Sequence, residues 1–292
     1  MEWIADTSVG QWVVDGTAGA AWASAGCVVP RGFEACVRVF HPMGRSAVEN
    51  PDSWEDLAWA RVAEAFGTTM HPLAQSAALM RVDPLCGDPP VRDGWSYHGP
   101  AVGSFPQLSQ VAPMLAAHTS TPDSGVAAVW EGWGGLVSSA GRMVMCLSAG
   151  PSLLAPLAYA ATAWSKVKSA VTSHLPAREP PPGSGILPYE AAAGPRLELP
   201  DRAYILFSAG VDEFADEDWP SRAPWTDELW ANTPSLLWPD DHAWLLGTEI
   251  DWEWTLIGCS RALADALMAS GVEACEVPLD ADLTWHGDQL NR

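Results

Sequence analysis

Apolar and polar positions change period twice between Ala243 and Val277. Ala243 to Ile250 is apolar and β-prone, Asp251 and Trp252 stand where the chain can reverse, and Glu253 to Ile257 is β-prone again. That order predicts a strand, a tight turn and a second strand. Ser260 is a good N-cap for a helix in which Leu263, Leu267 and Met268 recur at helical spacing until Gly271 ends the pattern. Val272 to Val277 then alternates as a half-buried strand does. The predicted unit is β-β-α-β. Trp238, Trp244, Trp252 and Trp254 crowd into it. Each indole can bury about 200 Å², so core packing ranks first among their roles and a stacking platform for a sugar or a base ranks second.

The rest of the chain carries weaker patterns. Trp3 to Val14 fits a strand or a short helix. Ala25 to Val29, the turn Pro30-Arg31-Gly32 and Phe33 to Phe40 read as a β-hairpin. Asn50 to Ser53 introduces a helix, with Ser53 as cap, Asp56 at the capping-box position and Gly67 as terminator. His71-Pro72 opens a second, short helix that runs to Met80, and Asp83 to Gly103, rich in Pro and Gly, reads as a surface loop. Ser104 caps a helix from Phe105 to Ala117, bent by Pro113. Val126 to Trp130 and Val144 to Leu147 read as strands, Pro151 to Val171 as an amphipathic helix and Ala203 to Phe207 as a buried strand. Val211 to Trp219 is an acidic loop and Trp225 to Trp230 a single helical turn.

Together these elements predict an α+β fold with a mixed or mainly antiparallel sheet and helices packed on one side. The run Arg178 to Gly185 combines three prolines with glycines and favours an extended connection. The chain is thereby expected to divide into an N-terminal α+β part (1–177), a Pro/Gly-rich linker or insertion (178–200) and an acidic C-terminal β-β-α-β part (201–292), unless all form one domain.

Composition narrows the function classes. The 292 residues are 48% apolar and 17% charged, enough for a large core. Thirty-six Asp and Glu against fifteen Lys and Arg leave a net charge of -21, and the excess is concentrated in the last third. Phosphate backbones and anionic membrane surfaces are repelled by such a protein, whereas a basic protein partner is attracted. The N-terminus lacks the cationic and continuous apolar regions of an export signal. The apolar run Leu153 to Trp164, broken by Pro156, falls far short of the roughly 20 residues that span a bilayer. A cytoplasmic location is expected. Six cysteines without CxxC spacing read as reduced, buried thiols rather than disulfides or zinc ligands.

The segments WIADTSVGQW from Trp3, VVPRGFEACVRVFHP from Val28, HPLAQ from His71, VWEGWGG from Val129 and SLLWPDDHAW from Ser235, followed by Thr248-Glu249-Ile250-Asp251 and Thr255-Leu256-Ile257-Gly258, resemble a family of uncharacterised actinobacterial proteins. The likeness covers most of the chain outside residues 143–200 and implies a shared fold without an activity. Members of that family tend to carry Arg near the position of His242, where this chain departs. The order strand, acidic turn, strand, small residue, helix is similar to the closing part of the SUKH superfamily, to which many bacterial toxin-immunity proteins belong.

Candidate chemistry is sparse. Arg38 and His41 lie three residues apart at the end of a predicted strand, and histidine is the usual general base near neutral pH. A plain capping histidine before Pro42 is the structural alternative. Glu131, between Trp130 and the run Gly132-Trp133-Gly134-Gly135, is either a partly desolvated catalytic carboxylate or one bonded to loop amides. Asp240, Asp241, Glu249, Asp251 and Glu253 hold enough oxygens for Mg²⁺ or Ca²⁺, but a hairpin sends alternate residues to opposite faces. No metal or cofactor is therefore expected, and no phosphate-binding, zinc-protease or nucleophile-elbow motif is present. The leading expectation is a non-catalytic interaction module, in one form an immunity-type inhibitor, binding through Trp130, Trp133, Trp238, Asp240, Asp241 and Asp251. The alternative is a small-molecule hydrolase or ligand-binding protein with Glu131, His41 and Arg38 in its site.

Overall fold

The computed structural model describes residues 1–83, 88–140, 180–228 and 231–291. The strands in chain order are β1 (Glu2–Ile4), β2 (Ala35–Phe40), β3 (Met43–Ala47), β4 (Asn50–Leu57), β5 (Val91–Arg92), β6 (Trp95–His98) and β7 (Gly125–Trp130). They continue with β8 (Leu197–Leu199), β9 (Arg202–Ser208), β10 (Leu236–Pro239), β11 (Leu245–Gly247), β12 (Trp254–Cys259) and β13 (Ala274–Glu276). The helices are α1 (Gln11–Thr17), α2 (Trp59–Phe66), α3 (Ser76–Leu79), α4 (Leu108–Ala116), α5 (Tyr189–Ala192) and α6 (Arg261–Ala269). Among the described residues they form an α+β fold with two sheets, of nine and four strands.

The larger sheet has the order β1-β9-β7-β10-β11-β12-β2-β13, with β8 also on β9. β1 and β8 pair antiparallel with β9, and every step from β7 through β10, β11, β12 and β2 to β13 is antiparallel. The β-β-α-β unit predicted at the C-terminus is present as β11, β12, α6 and β13. The Ser260 hydroxyl caps α6 by accepting the Leu263 N–H at 3.3 Å. β2 sits between β12 and β13, so a strand from the first forty residues completes the C-terminal unit. Residues 1–129 and 196–292 accordingly make one compact unit instead of separate N- and C-terminal parts, and residues 130–195 make another.

β2 and β12 are buried along their whole length, so both faces of the sheet are covered here. On one face Cys36, Phe40, Trp254 and Leu256 pack with Trp59, Val62 and Ala63 of α2. On the other, Val37, Val39 and Ile257 are fully buried, and α6 packs on β2 and against α4. Trp238, Trp244 and Trp254 are core residues, and Trp252 stacks on Trp254 at 5.6 Å.

Several local expectations are corrected. Ala25–Cys27 is a short 3-10 turn, so β2 has no hairpin partner there and finds β12 and β13 instead. Asn50 to Leu57 is strand β4, paired with β3, and Ser53 bonds Ala47 N and Asn50 O across the hairpin rather than capping a helix. The helix begins at Trp59, and its cap comes from far away: the Glu273 carboxylate accepts the N–H groups of Trp59 and Ala60 at 2.5 and 2.8 Å. Ser104 does not cap α4 and contacts Thr233 instead. The Pro/Gly-rich stretch contains β5 and β6 joined through Asp93-Gly94, both at positive φ, and β6 extends the four-stranded sheet. In the second unit, Gly183 N donates to Val137 O and Ile186 N to Gly135 O, so the end of the supposed linker is hydrogen-bonded structure. The strand at Val144 to Leu147, the helix at Pro151 to Val171, Arg178, Trp230, Cys86 and Cys146 lie outside the described residues. Burial pushes the Cys36 and Cys259 thiols up to about 12, and the four described cysteines are free.

Candidate functional site

At one end of the larger sheet the chain builds an aromatic-walled cleft of about 610 Å³. β10 ends at Pro239 and turns back through Asp240, Asp241 and His242, closed by His242 N donating to Pro239 O at 2.9 Å. His242 adopts φ +53, a left-handed conformation that His tolerates better than bulky residues do. Asp241 holds the turn in place. Its carboxylate accepts from Thr119 Oγ1, Ser120 N and Ser120 Oγ, each at 2.7 Å, and from Ala243 N at 3.0 Å. Burial alone would raise its pKa, but hydrogen bonds from Ser120, Thr119 and Ala243 prevail and bring it to about 2.

The turn delivers the His242 ring to Trp12 in α1, where the two stack at 4.3 Å and 18°. Trp12 also meets Trp238 edge-on at 6.1 Å and Phe33 at 6.4 Å. Asp123, Asp240 and Glu213 line the same cleft with Ser8 and Ser124, and Asp240 N donates to Ser124 O at 3.2 Å. A second hollow of about 380 Å³ shares Trp12 and His242 and continues to Arg31, Glu34 and Ser260. Replacing Asp241 by alanine is expected to cost about 1–2 kcal/mol by removing charged hydrogen bonds. It also frees His242 from Trp12, an effect readable as a change in tryptophan fluorescence at unaltered far-ultraviolet circular dichroism.

Of the residues expected from sequence, Trp238 and Asp240 line this cleft and Asp241 positions it. Asp251 is exposed in the turn before β12. The neighbouring acids are spent elsewhere. Glu249 binds Arg202 at 2.7 Å and Tyr204 Oη at 3.1 Å, and Glu253 turns inward to Ser76, its pKa raised by burial. Among the described residues no three His, Cys, Asp or Glu side chains are grouped to hold a metal ion.

Arg38 and His41 are not surface groups. Both have 0% exposure. His41 Nδ1 faces Ala101 O at 3.0 Å and must donate there, which makes Nε2 the acceptor for Thr255 Oγ1 at 2.9 Å. Thr255 is joined in turn to Thr248 at 2.5 Å. Arg38 lies over the rings of Trp254 and Phe40, 3.8 and 4.6 Å from their centroids, and donates through Nη1 to Pro72 O at 2.8 Å. Neither lines the two clefts described above, and the expected base and its arginine are buried in the core. Glu131 belongs to the second unit, where Trp130 and Trp133 meet edge-on at 5.7 Å and Gly132 lies against the Trp130 ring. All three are partly exposed.

Trp12, Asp123 and Glu213 were not singled out from sequence. They come from three distant segments, and only the closing of β7, β9 and β10 side by side brings them together. Comparison with protein families, with curated proteins and with solved structures found no match to the chain.

Proposed function

We propose that the protein is a cytoplasmic, non-catalytic interaction module that recognises a basic protein through its acidic surface. Immunity-type inhibition of a basic toxin is one concrete form of that role. One observation carries this: the acidic loop after β9 holds exposed carboxylates that outnumber the cations beside them among the described residues. In the acidic loop, Arg222 pairs with Asp216, while the exposed Asp212, Glu217 and Asp218 face no Lys or Arg among the described residues. Such a field accelerates encounter with a cationic partner and rejects nucleic acid. No helix among the described residues is long and apolar enough to cross a membrane. Burial of Arg38 and His41 supports a non-catalytic role, and the strand, turn, strand, capped helix of β11, β12 and α6 supports the likeness to immunity proteins.

The test is native mass spectrometry and affinity capture from the source cell at low ionic strength. A basic protein is expected to be retained, and to be released near 1 M salt, where screening acts within about 3 Å. Recovery of no salt-sensitive partner, or of a small molecule that is turned over, rejects the proposal.

A further inference from the structure

We propose that the cleft bordered by Trp12, His242, Asp123 and Asp240 takes one alkylammonium or guanidinium group, presented by the basic partner as a lysine or arginine side chain. The assignment rests on the interaction role proposed above and names its point of contact. Volume is the first support, because 610 Å³ falls within the roughly 300–1,000 Å³ typical of ligand sites. Charge is the second. No Lys or Arg lines the cleft, and the carboxylates of Asp123 and Asp240 have no cationic partner among the described residues. Glu213 is a weaker contributor, since it already faces the Met1 amino nitrogen at 3.7 Å.

The backbone holds the two free acids side by side. Asp240 N donates to Ser124 O, next to Asp123, and Gly210 lies so close to the Asp123 backbone that a Cβ there would collide with it. The main chain that carries both acids is therefore held in place beside the cleft, while their exposed side chains stay free to turn towards a ligand. Aromatic walls select among cations. Trp238 is buried, so the contact falls to the partly exposed Trp12 indole and the His242 ring. These offer nothing to a hydrated metal ion but cover the methylenes of an aliphatic amine or guanidine, the indole also attracting its charge. An anion meets two unneutralised carboxylates and is excluded.

The decisive probes are butylammonium and butylguanidinium, with butanol as the neutral control, titrated calorimetrically at low salt. The parent protein is expected to bind both cations saturably and butanol negligibly. Asp123→Asn with Asp240→Asn should weaken the cations about tenfold or more while the melting temperature holds, because both side chains are exposed. Glu49→Gln with Asp52→Asn makes the same charge change at exposed positions outside both the cleft and the acidic loop and should leave cation binding as it was. Capture of the salt-sensitive partner should fall with the first pair and persist with the second. The inference is overturned if butanol binds as well as the cations, if the cleft variant binds them as the parent does, or if that variant retains the partner in full. Saturable cation binding without any protein partner rejects the interaction role and reassigns the cleft to a free amine or guanidine.

Discussion

Between pH 6.5 and pH 4 the protein is expected to lose about 3 kcal/mol of unfolding free energy relative to a His41→Gln variant. Burial is the main cause: it lowers the His41 pKa to about 4, aided by the nearby Arg38 charge and only partly resisted by the bond to Ala101 O. The sign follows from where the proton goes. An unfolded chain protonates His41 near 6.5, whereas the folded chain resists until about 4, so between these values the unfolded state holds more protons. Stability from this group is complete above pH 6.5 and declines as pH falls. Glu253 and Glu273 act oppositely, because burial raises their pKa values and protonation above 4.5 favours the folded state. The comparison with His41→Gln separates the two effects, since glutamine can donate to Ala101 O and accept from Thr255 without titrating. Urea unfolding of both proteins across this range is the measurement, and parallel profiles would show that His41 is not held neutral by the fold.

That a histidine at the end of a strand, as expected, is nevertheless a fully buried core group illustrates what local pattern can and cannot carry. Short-range signals survived well. The period change after Ser260, the helix terminator at Gly67 and the buried run at Ala203 to Phe207 all correspond to elements in the structure. Each depends on capping chemistry or on burial of the segment itself. Partner choice did not survive. Phe33 to Phe40 reads as the second arm of a hairpin with Ala25 to Val29, yet the partners of β2 are more than two hundred residues away and both its faces are dry. Trp54 and Leu57 fit a helical stripe equally well, and only pairing with β3 makes them strand residues. Asp93-Gly94 was a legible two-residue hairpin signal hidden by the surrounding prolines.

The cleft divides in the same way. Trp238, Asp240 and Asp241 stand in one short apolar-to-acidic run, so their neighbourhood is visible from the chain alone. Trp12 and Asp123 become relevant only because α1 and the start of β7 arrive beside the end of β10. Nothing in WIADTSVGQW distinguishes a tryptophan that receives a histidine ring from one that fills the core. The acidic run around Asp251 shows the converse limit, since side chains adjacent in sequence leave for Arg202, for solvent and for the interior.

Arg38→Met is expected to change stability by no more than about 1–2 kcal/mol, whereas Arg38→Ala is expected to cost about 4 kcal/mol. Burial brings the Arg38 pKa down to about 9, against the attraction of Glu253, Cys275 and Asp288. A depression of that size corresponds to a cost of about 5 kcal/mol for the charged form. Opposing it are the rings of Trp254 and Phe40, worth about 1–2 kcal/mol each when desolvated, and one hydrogen bond to Pro72 O, worth about 1–2 kcal/mol. Nε and Nη2 have no hydrogen-bond partner and add nothing further. The terms nearly cancel, so a methionine that keeps the volume among Phe40, Trp59 and Trp254 gives up little, while alanine leaves a cavity between three large rings. Equal losses for the two variants in urea unfolding would mean that the cation itself, rather than the space it fills, holds α2 to the sheet.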